Sequence, residues 1–245
     1  MSRVIIDIET AGYRLEELDK ETQEYLLRYA NTEIEEQKVR EGLSFYPLTA
    51  QVVAIGMLNP DTDKGVVYYQ LPHSNPPINS DNHNTEGHRW DTVYAESINT
   101  EPFEEEGITY EGGTEREILE RFWSVVDKYD QVITFNGRTF DGPFLTIRSM
   151  IHRIRPTRNL IPNRYGDEHI DLLDRLTFFG ISRRFNLDTW CRALGIKSPK
   201  SEDLNGYMVP EFFRTGRSLE VAKYCALDLR ATKELFHLWQ QYIPK

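Results

Sequence analysis

The stretch RVIIDIE, residues 3–9, predicts a buried β-strand close to the start of the chain, because four of its residues are apolar. Residues i and i+2 of a strand point to the same face, so Asp7 and Glu9 project together, opposite Ile6 and Ile8. Two neighbouring carboxylates repel each other, and a hard divalent cation such as Mg²⁺ or Mn²⁺, which prefers oxygen ligands, would relieve that repulsion. The alternative is a strand end in solvent, where both acids are hydrated. The stretch by itself leaves both interpretations open.

Outward from this strand, the pattern of apolar residues predicts an α/β sheet. Residues 51–58 (QVVAIGML) and 65–71 (GVVYYQL) read as two further strands, separated by turn-forming residues. Residues 114–129 read as an amphipathic helix and residues 131–135 (QVITF) as a fourth strand. A long closing helix is predicted at residues 219–242. The early strands therefore form a meander, and the fourth arrives through a helical crossover.

The whole chain, residues 1–245, is predicted to form a single domain, because neither a linker nor an internal repeat is visible. Residues 72–113 are predicted to be a long polar loop, and a loop of that length in a compact domain is usually functional or mobile. It contains His73, His83 and His88, whose spacing fits no metal-ligand pattern. We interpret these histidines as solvated.

Charge is unevenly distributed along the chain. The formal net charge is −10, which taken alone argues against nucleic-acid binding. Residues 145–200, however, hold eleven Lys or Arg against five Asp or Glu. Such a basic block suits the phosphate backbone of a single strand, although a surface of solvated arginines is the alternative.

Composition excludes several classes of protein. No apolar run is long enough for a membrane helix or for the core of a signal peptide. Cys191 and Cys225 form neither a disulfide framework nor a metal-binding spacing, and we interpret both as buried, reduced thiols. We therefore expect a soluble, cytoplasmic protein that has no membrane partner.

Acidic residues recur at two further positions that the predicted fold would place near strand ends or on one helix face. Asp141 lies in FNGRTFDGPFL, in the first turn of the helix after the fourth strand. Sites in α/β sheets form where neighbouring strands end, but an acid at a helix start is also ordinary because of the helix dipole. Tyr224 and Asp228 are four residues apart in the closing helix and share a face. A boundary tyrosine and a solvated acid are the alternative interpretation.

Taken in order, Asp-x-Glu, then N-G-x-x-F-D, then Y-x-x-x-D resemble the motifs of the proofreading 3′–5′ exonuclease superfamily with four acidic residues, on its tyrosine branch (DEDDy). Four longer features resemble stand-alone predicted exonucleases related to the exonuclease domain of family B DNA polymerases. They are GITYEGG (107–113), HIDLLDRLTFFG (169–180), WCRALGIKSPK (190–200) and YCALDLRATKELFHLW (224–239). The resemblance covers nearly the whole chain. It implies a ribonuclease H-like α/β fold, in which a mixed sheet of a three-strand meander and then parallel strands is flanked by helices.

The resemblance also implies chemical roles for five residues. Asp7, Glu9, Asp141 and Asp228 would be the ligands of two Mg²⁺ or Mn²⁺ ions that act on a phosphodiester. Tyr224 would orient the attacking water through its hydroxyl, because an unperturbed phenol is too weak an acid to serve as the base at pH 7.

Candidate substrate-binding residues follow from the same motifs and from the basic block. Residues after the first motif would face the 3′-terminal sugar, residues of the second motif the terminal nucleotide, and arginines of the block the strand. In that order they are Thr10, Ala11, Asn136, Phe140, Arg153, Arg155 and Arg158. Core packing is the alternative for Phe140.

The activity expected from the resemblance is metal-dependent release of nucleoside 5′-monophosphates from the 3′ end of single-stranded DNA, in proofreading or DNA repair. The same reaction on RNA is the alternative, because no residue in the sequence reveals a contact to a 2′-hydroxyl. A non-catalytic nucleic-acid-binding protein on a nuclease fold is an alternative of another class. A decayed nuclease usually lacks a metal ligand, whereas all four acids and the tyrosine are present here, which favours the enzyme.

Overall fold

The computed structural model describes residues 1–71, 101–199 and 205–244. Seven strands among these residues form one mixed sheet in the order β4-β5-β3-β2-β1-β6-β7. The strands are β1 Arg3–Gly12, β2 Ala50–Leu58, β3 Gly65–Gln70, β4 Phe103–Glu105, β5 Ile108–Gly113, β6 Gln131–Thr134 and β7 His169–Asp171. The three strands β1, β2 and β3 pair antiparallel, whereas β6 joins β1 and β7 joins β6 in parallel. The predicted α/β class, with a meander followed by parallel strands, is confirmed.

Helices cover both faces of this sheet. They are α1 Lys20–Leu27, α2 Glu33–Gly42, α3 Glu115–Val126, α4 Asp141–Ile151, α5 Leu172–Leu176, α6 Leu187–Leu194, α7 Val209–Arg214 and α8 Ser218–Tyr242. The long helix α8 packs on one face against β1, β2 and β3, and α3 and α4 pack on the other. Because both faces are covered, β1 and β2 are buried almost continuously instead of alternating between buried and exposed residues.

The predicted loop at 72–113 requires a correction over its last part. Residues 72–100, with the three histidines, lie outside the described residues, but Phe103–Glu105 and Ile108–Gly113 form β4 and β5 at the edge of the sheet. Ile108 and Tyr110 are buried, which is the alternation of a strand. The acids around them hid that pattern, because the outer edge of a sheet faces water and tolerates charge.

Among the described residues, the first strand has no parallel partner along the part that carries its acids. Parallel pairing with β6 ends at Ile5, and pairing with β2 is irregular between Glu9 and Thr10. Irregularities of this kind are common beside functional sites. Ile6 and Ile8 pack in the core under α3 and α4, so Asp7 and Glu9 point toward α8, as the spacing predicts.

None of the helices in the described parts of the chain combines the length and the apolar character that crossing a bilayer requires.

Candidate active site

Three carboxylates from two elements meet beside the first strand. Ligand oxygens of Asp7, Glu9 and Asp228 all lie within 4.8 Å of one another. Glu9 and Asp228 are buried, and Asp7 keeps partial contact with solvent. The strand β1 supplies two of these acids and the helix α8 the third, so the cluster exists only when α8 is docked on the sheet.

Close packing of α8 on the sheet explains why Asp228 reaches Asp7. Gly56 of β2 is the residue paired with Asp7, and a methyl group at this position would lie 2.7 Å from both Cys225 Sγ and Leu229 Cδ1. Real side chains do not tolerate such contacts. The absence of a side chain at Gly56 therefore lets the helix approach the strand that carries the acids.

Asp141 lies alongside this cluster at the start of α4. Its carboxyl is buried and hydrogen-bonds to the backbone at Ile8, the residue between the two acids of β1. Burial raises the pKa of Asp141 to about 7; backbone hydrogen bonds oppose this rise, and the charges of Asp171 and Asp228 add to it. The charge of Asp141 acts in turn on Asp7 and Glu9. Three of the four predicted ligands therefore meet within 4.8 Å, and Asp141 lies close enough for its charge to act on Asp7 and Glu9.

The carboxylates of the cluster repel one another. Burial, then the charge of Asp228, raises the pKa of both Asp7 and Glu9 well above the ordinary value. Carboxylate oxygens are hard ligands, and several of them at one point favour a divalent cation such as Mg²⁺ or Mn²⁺. The donor set and its mutual repulsion therefore fit a metal site.

In EDTA, the acid cluster is expected to make the wild-type protein less stable as the pH rises from about 4 to about 7. The folded-state pKa of Asp141 is raised, so the folded chain holds this proton more tightly than the unfolded chain. The resulting stabilisation is complete below the unfolded pKa and disappears as the pH rises through the folded pKa. Melting temperatures of wild type and Asp141→Asn, measured across this range, isolate the effect. Equal pH dependence in both proteins would contradict it, and Mg²⁺ should remove the loss in the wild type only.

Two neighbours on α8 complete the cluster. The Tyr224 hydroxyl hydrogen-bonds to Asp228, and burial together with the charges of Asp228, Glu9 and Asp7 raises the pKa of Tyr224. The raised pKa keeps the phenol protonated and donating to Asp228, so its oxygen can accept a hydrogen bond from a water molecule. Cys225 Sγ lies 3.6 Å from an Asp7 carboxylate oxygen, and burial raises the pKa of this thiol. The sequence indicated only that Cys225 is buried; its place inside the Y-x-x-x-D motif is the signal that could have found this contact.

A further acid, Asp171, positions the turn that leads to Asp141. Its carboxylate accepts hydrogen bonds from the backbone N–H groups of Asn136 (2.9 Å) and Arg138 (3.0 Å), as well as of Leu173 (3.0 Å) at the start of α5. Asn136 has a φ of 69°, a left-handed conformation that costs free energy in a non-glycine residue. Asp171 therefore stabilises a strained turn through backbone N–H groups, and it is not among the three acids whose oxygens lie within 4.8 Å of one another.

Two predicted sugar-binding residues are turned toward the protein. The Thr10 hydroxyl donates to the carbonyl of Ser44 at 2.7 Å, and Ala11 packs in the core under α8. Asn136 Oδ1 accepts hydrogen bonds from Thr139 (2.6 Å) and Arg184 (2.7 Å). Their roles toward a terminal nucleotide stay predictions.

Phe140 lies at the edge between core and surface. Its ring packs against Phe144 in the core, with a centroid distance of 5.4 Å, and against Phe45 at 6.5 Å. Phe45 is about half exposed and in turn contacts Tyr207 at 6.1 Å. Core packing and ring exposure thus coexist at this position, and Phe45 is a neighbour that the sequence did not reveal.

The predicted arginines are not brought to the acids. The helix α4 begins at Asp141 and rises about 1.5 Å per residue, which places Arg153 and Arg155 beyond its far end, some 15 Å away along the axis. Arg158 donates to the backbone carbonyls of Tyr129 and Asp130, before the start of β6 and thus at its opposite end. Their contact with a substrate strand stays a prediction.

Comparison with known proteins identifies the class and then the family. Residues 92–242, more than half of the chain, match a family of exonuclease domains. The chain belongs to this family, which is described as predicted 3′–5′ exonucleases related to the exonuclease domain of PolB. The match contains Asp141, Tyr224 and Asp228, whereas Asp7 and Glu9 precede it.

Relatives of known name are DNA polymerases. A DNA polymerase of Pyrococcus glycovorans is 31% identical over 137 residues, which cover 50% of this chain and 18% of that protein. The family B DNA polymerase of the hyperthermophilic archaeon Pyrobaculum calidifontis has a similar structure, with a TM-score of 0.56 and 15% identity over 98% of this chain. That likeness concerns the fold. The chain spans about a quarter or less of the length of these polymerases.

Proposed function

We propose that the protein is a metal-dependent 3′–5′ exonuclease that releases nucleoside 5′-monophosphates from the 3′ end of single-stranded DNA. The observation that carries this proposal is the meeting of Asp7, Glu9 and Asp228 within 4.8 Å, with Asp141 alongside. The family supports a nuclease, and the cluster supplies the carboxylates that its chemistry needs.

Asp7, Glu9, Asp141 and Asp228 would hold two divalent ions, Mg²⁺ or Mn²⁺. Such ions lower the pKa of water and neutralise the charge that develops on a phosphodiester during in-line displacement. The four carboxylates would hold the ions beside β1, and the scissile phosphate would bind there through the ions. The carboxylates repel an anionic strand by themselves, so binding and cleavage both depend on the metal.

Tyr224 orients the attacking water and does not remove its proton. The hydroxyl is held by Asp228, and its raised pKa keeps it protonated at neutral pH. Because its proton is donated to Asp228, the phenol oxygen can accept one hydrogen bond from water at a defined point, which favours one direction of attack.

The test is incubation of the purified protein with end-labelled single-stranded DNA and RNA, in Mg²⁺, Mn²⁺ or EDTA. We expect 5′-labelled strands to shorten progressively from the 3′ end and to release mononucleotides, with no product in EDTA. Faster degradation of RNA would favour the exoribonuclease alternative. Full activity in EDTA, or release of the 5′ label first, would refute the proposal, and binding without any cleavage would favour the non-catalytic alternative.

Tyr224→Phe is expected to slow turnover by about 10²-fold, the usual order of loss when a reacting group is misplaced by about 1 Å. The variant keeps the ring in the core of the α8 face and leaves the carboxylates untouched. Single-turnover rates with saturating Mg²⁺ measure the effect, and Mg²⁺ titration of the melting temperature serves as the control. Wild-type rates in the variant would exclude the hydroxyl from the reaction.

A further inference from the structure

Three arginines converge on one buried carboxylate. Arg164 contacts both oxygens of Asp174, at 2.8 and 2.6 Å, Arg184 lies at 3.5 Å, and Arg138 at 4.0 Å. These arginines, the arginine cluster, carry two positive charges more than Asp174 can neutralise. The neighbouring acid Asp171 leaves one charge in excess, and its oxygens are already occupied by backbone N–H groups.

The arginine cluster has hydrogen-bonding capacity left over. Arg138 is nine-tenths buried; its Nη2 donates to the carbonyl of Pro162 at 2.6 Å, while its buried Nη1 has no partner. A buried donor without a partner costs free energy, and the charge of this guanidinium adds to the positive potential at the cluster. Arg164 and Arg184 are each 40% exposed, so their outer edges are open to solvent. The arginine cluster therefore has one buried member, Arg138, and two members, Arg164 and Arg184, that solvent can reach.

The arginine cluster is connected to the turn that leads to Asp141. Arg184 donates to Asn136 Oδ1 at 2.7 Å, in the turn between β6 and Asp141. Asp174 follows the end of β7 by three residues, and β7 is the parallel neighbour of β6. Both sites are thus at the carboxyl ends of adjacent parallel strands, where α/β sheets bind ligands.

The segment that carries Arg184 has the composition of a single-strand contact. Arg183 stacks on the ring of Phe185, with its guanidinium 5.2 Å from the ring centroid, and Ile181 is almost fully exposed. Phe185 itself is 43% exposed. Basic and aromatic residues side by side suit a strand whose phosphates and bases are both available.

We propose that Arg138, Arg164 and Arg184 bind a backbone phosphate of the nucleic-acid strand whose 3′ end occupies the acid cluster. This inference rests on the proposed function. A guanidinium group can bind two phosphate oxygens at once. Three guanidinium groups around one carboxylate leave an excess positive charge, which a phosphate can neutralise. Arg184 is the principal contact, because it is exposed and lies farther from Asp174 than Arg164 does. On this proposal, the arginines that contact the strand lie at the end of the sheet near the acids, and not beyond the far end of α4 where Arg153 and Arg155 lie.

The test measures binding of a fluorescent single-stranded oligonucleotide with phosphorothioate linkages at its 3′ end, which keep the phosphate charge and resist cleavage. We expect Arg184→Gln to weaken binding in Mg²⁺ by about tenfold. The slope of log K against log salt should become shallower by about 0.7, the value of one phosphate contact on a single strand. Arg184→Lys should keep the slope, because the slope reports charge. Arg121→Gln is the matched control: its side chain is 39% exposed and pairs with Glu111, but it lies on α3, and its slope should equal that of the wild type.

Each outcome separates this inference from the proposed function. A wild-type slope in Arg184→Gln, in a protein that binds and degrades single strands, would overturn the arginine cluster and leave the nuclease intact. A shallower slope in the double variant Arg153→Gln with Arg155→Gln, but not in Arg184→Gln, would show that the strand contacts arginines at the far end of α4 instead of the arginine cluster. A wild type that neither binds nor cleaves would overturn both. Melting temperatures of all variants show that the comparison concerns folded protein.

Discussion

Asp7→Asn is expected to abolish nuclease activity without lowering the stability of the metal-free protein. Asp7 lies among Glu9, Asp228 and Asp141, whose charges together with burial raise its pKa well above the ordinary value. Neutralising one member of a repulsive cluster relieves strain, so the melting temperature in EDTA should hold or rise. With Mg²⁺ the wild type should gain stability by mass action, and the variant should gain less.

Melting in EDTA and in Mg²⁺, together with activity on a single strand, checks this prediction. Asp127→Asn removes an equal charge from an exposed position at the end of α3 and should leave activity and the Mg²⁺ response unchanged. If Asp7 were a structural acid, its variant would melt lower in EDTA and Mg²⁺ would make no difference. Retained activity in such a variant would refute the metal site at Asp7.

Arg148→Met is expected to destabilise the protein by about 3–5 kcal/mol, the usual cost of leaving a buried charge without its partner. Arg148 and Glu115 are both almost fully buried and form two hydrogen bonds, at 2.8 and 2.6 Å. Glu115 also accepts from the backbone N–H of Val52 and contacts His152, so it joins α3, α4 and β2. Burial alone would raise the pKa of Glu115, but Arg148 and His152 hold it below its ordinary value.

Urea denaturation at pH 7 measures the loss. The double variant Glu115→Gln with Arg148→Met should lose less than Arg148→Met alone, because no uncompensated charge then remains in the core. Arg40→Gln, which removes a surface ion pair between α2 and Glu16, should change the free energy of unfolding by less than about 1 kcal/mol. A loss below about 1 kcal/mol in Arg148→Met would show that the buried pair contributes little to the free energy of unfolding.

Local patterns explain which parts of the fold and site were predictable. The capping box of Thr114 and Glu117 marks the start of α3, and the structure contains both of its hydrogen bonds. The acids of β1 and the Tyr224–Asp228 pair follow from strand and helix periods, which act within one element. The strands β4 and β5 were missed because β4 has only three residues, all exposed, and β5 is defined by its pairing with β3 on one side and β4 on the other more than by its own composition.

The repeat of a single strand or helix was enough to predict which side chains share a face. It predicted that Asp7 and Glu9 project to one side of β1 and that Tyr224 and Asp228 share a face of α8. Whether these two pairs meet depends on tertiary packing, because the distance from β1 to α8 is set by the close approach at Gly56. The tertiary structure also decided which basic residues lie near the acids. Arg153 follows Asp141 closely along the chain, but a straight helix carries it away, whereas the parallel pairing of β6 with β7 brings the more distant Arg184 back beside Asn136.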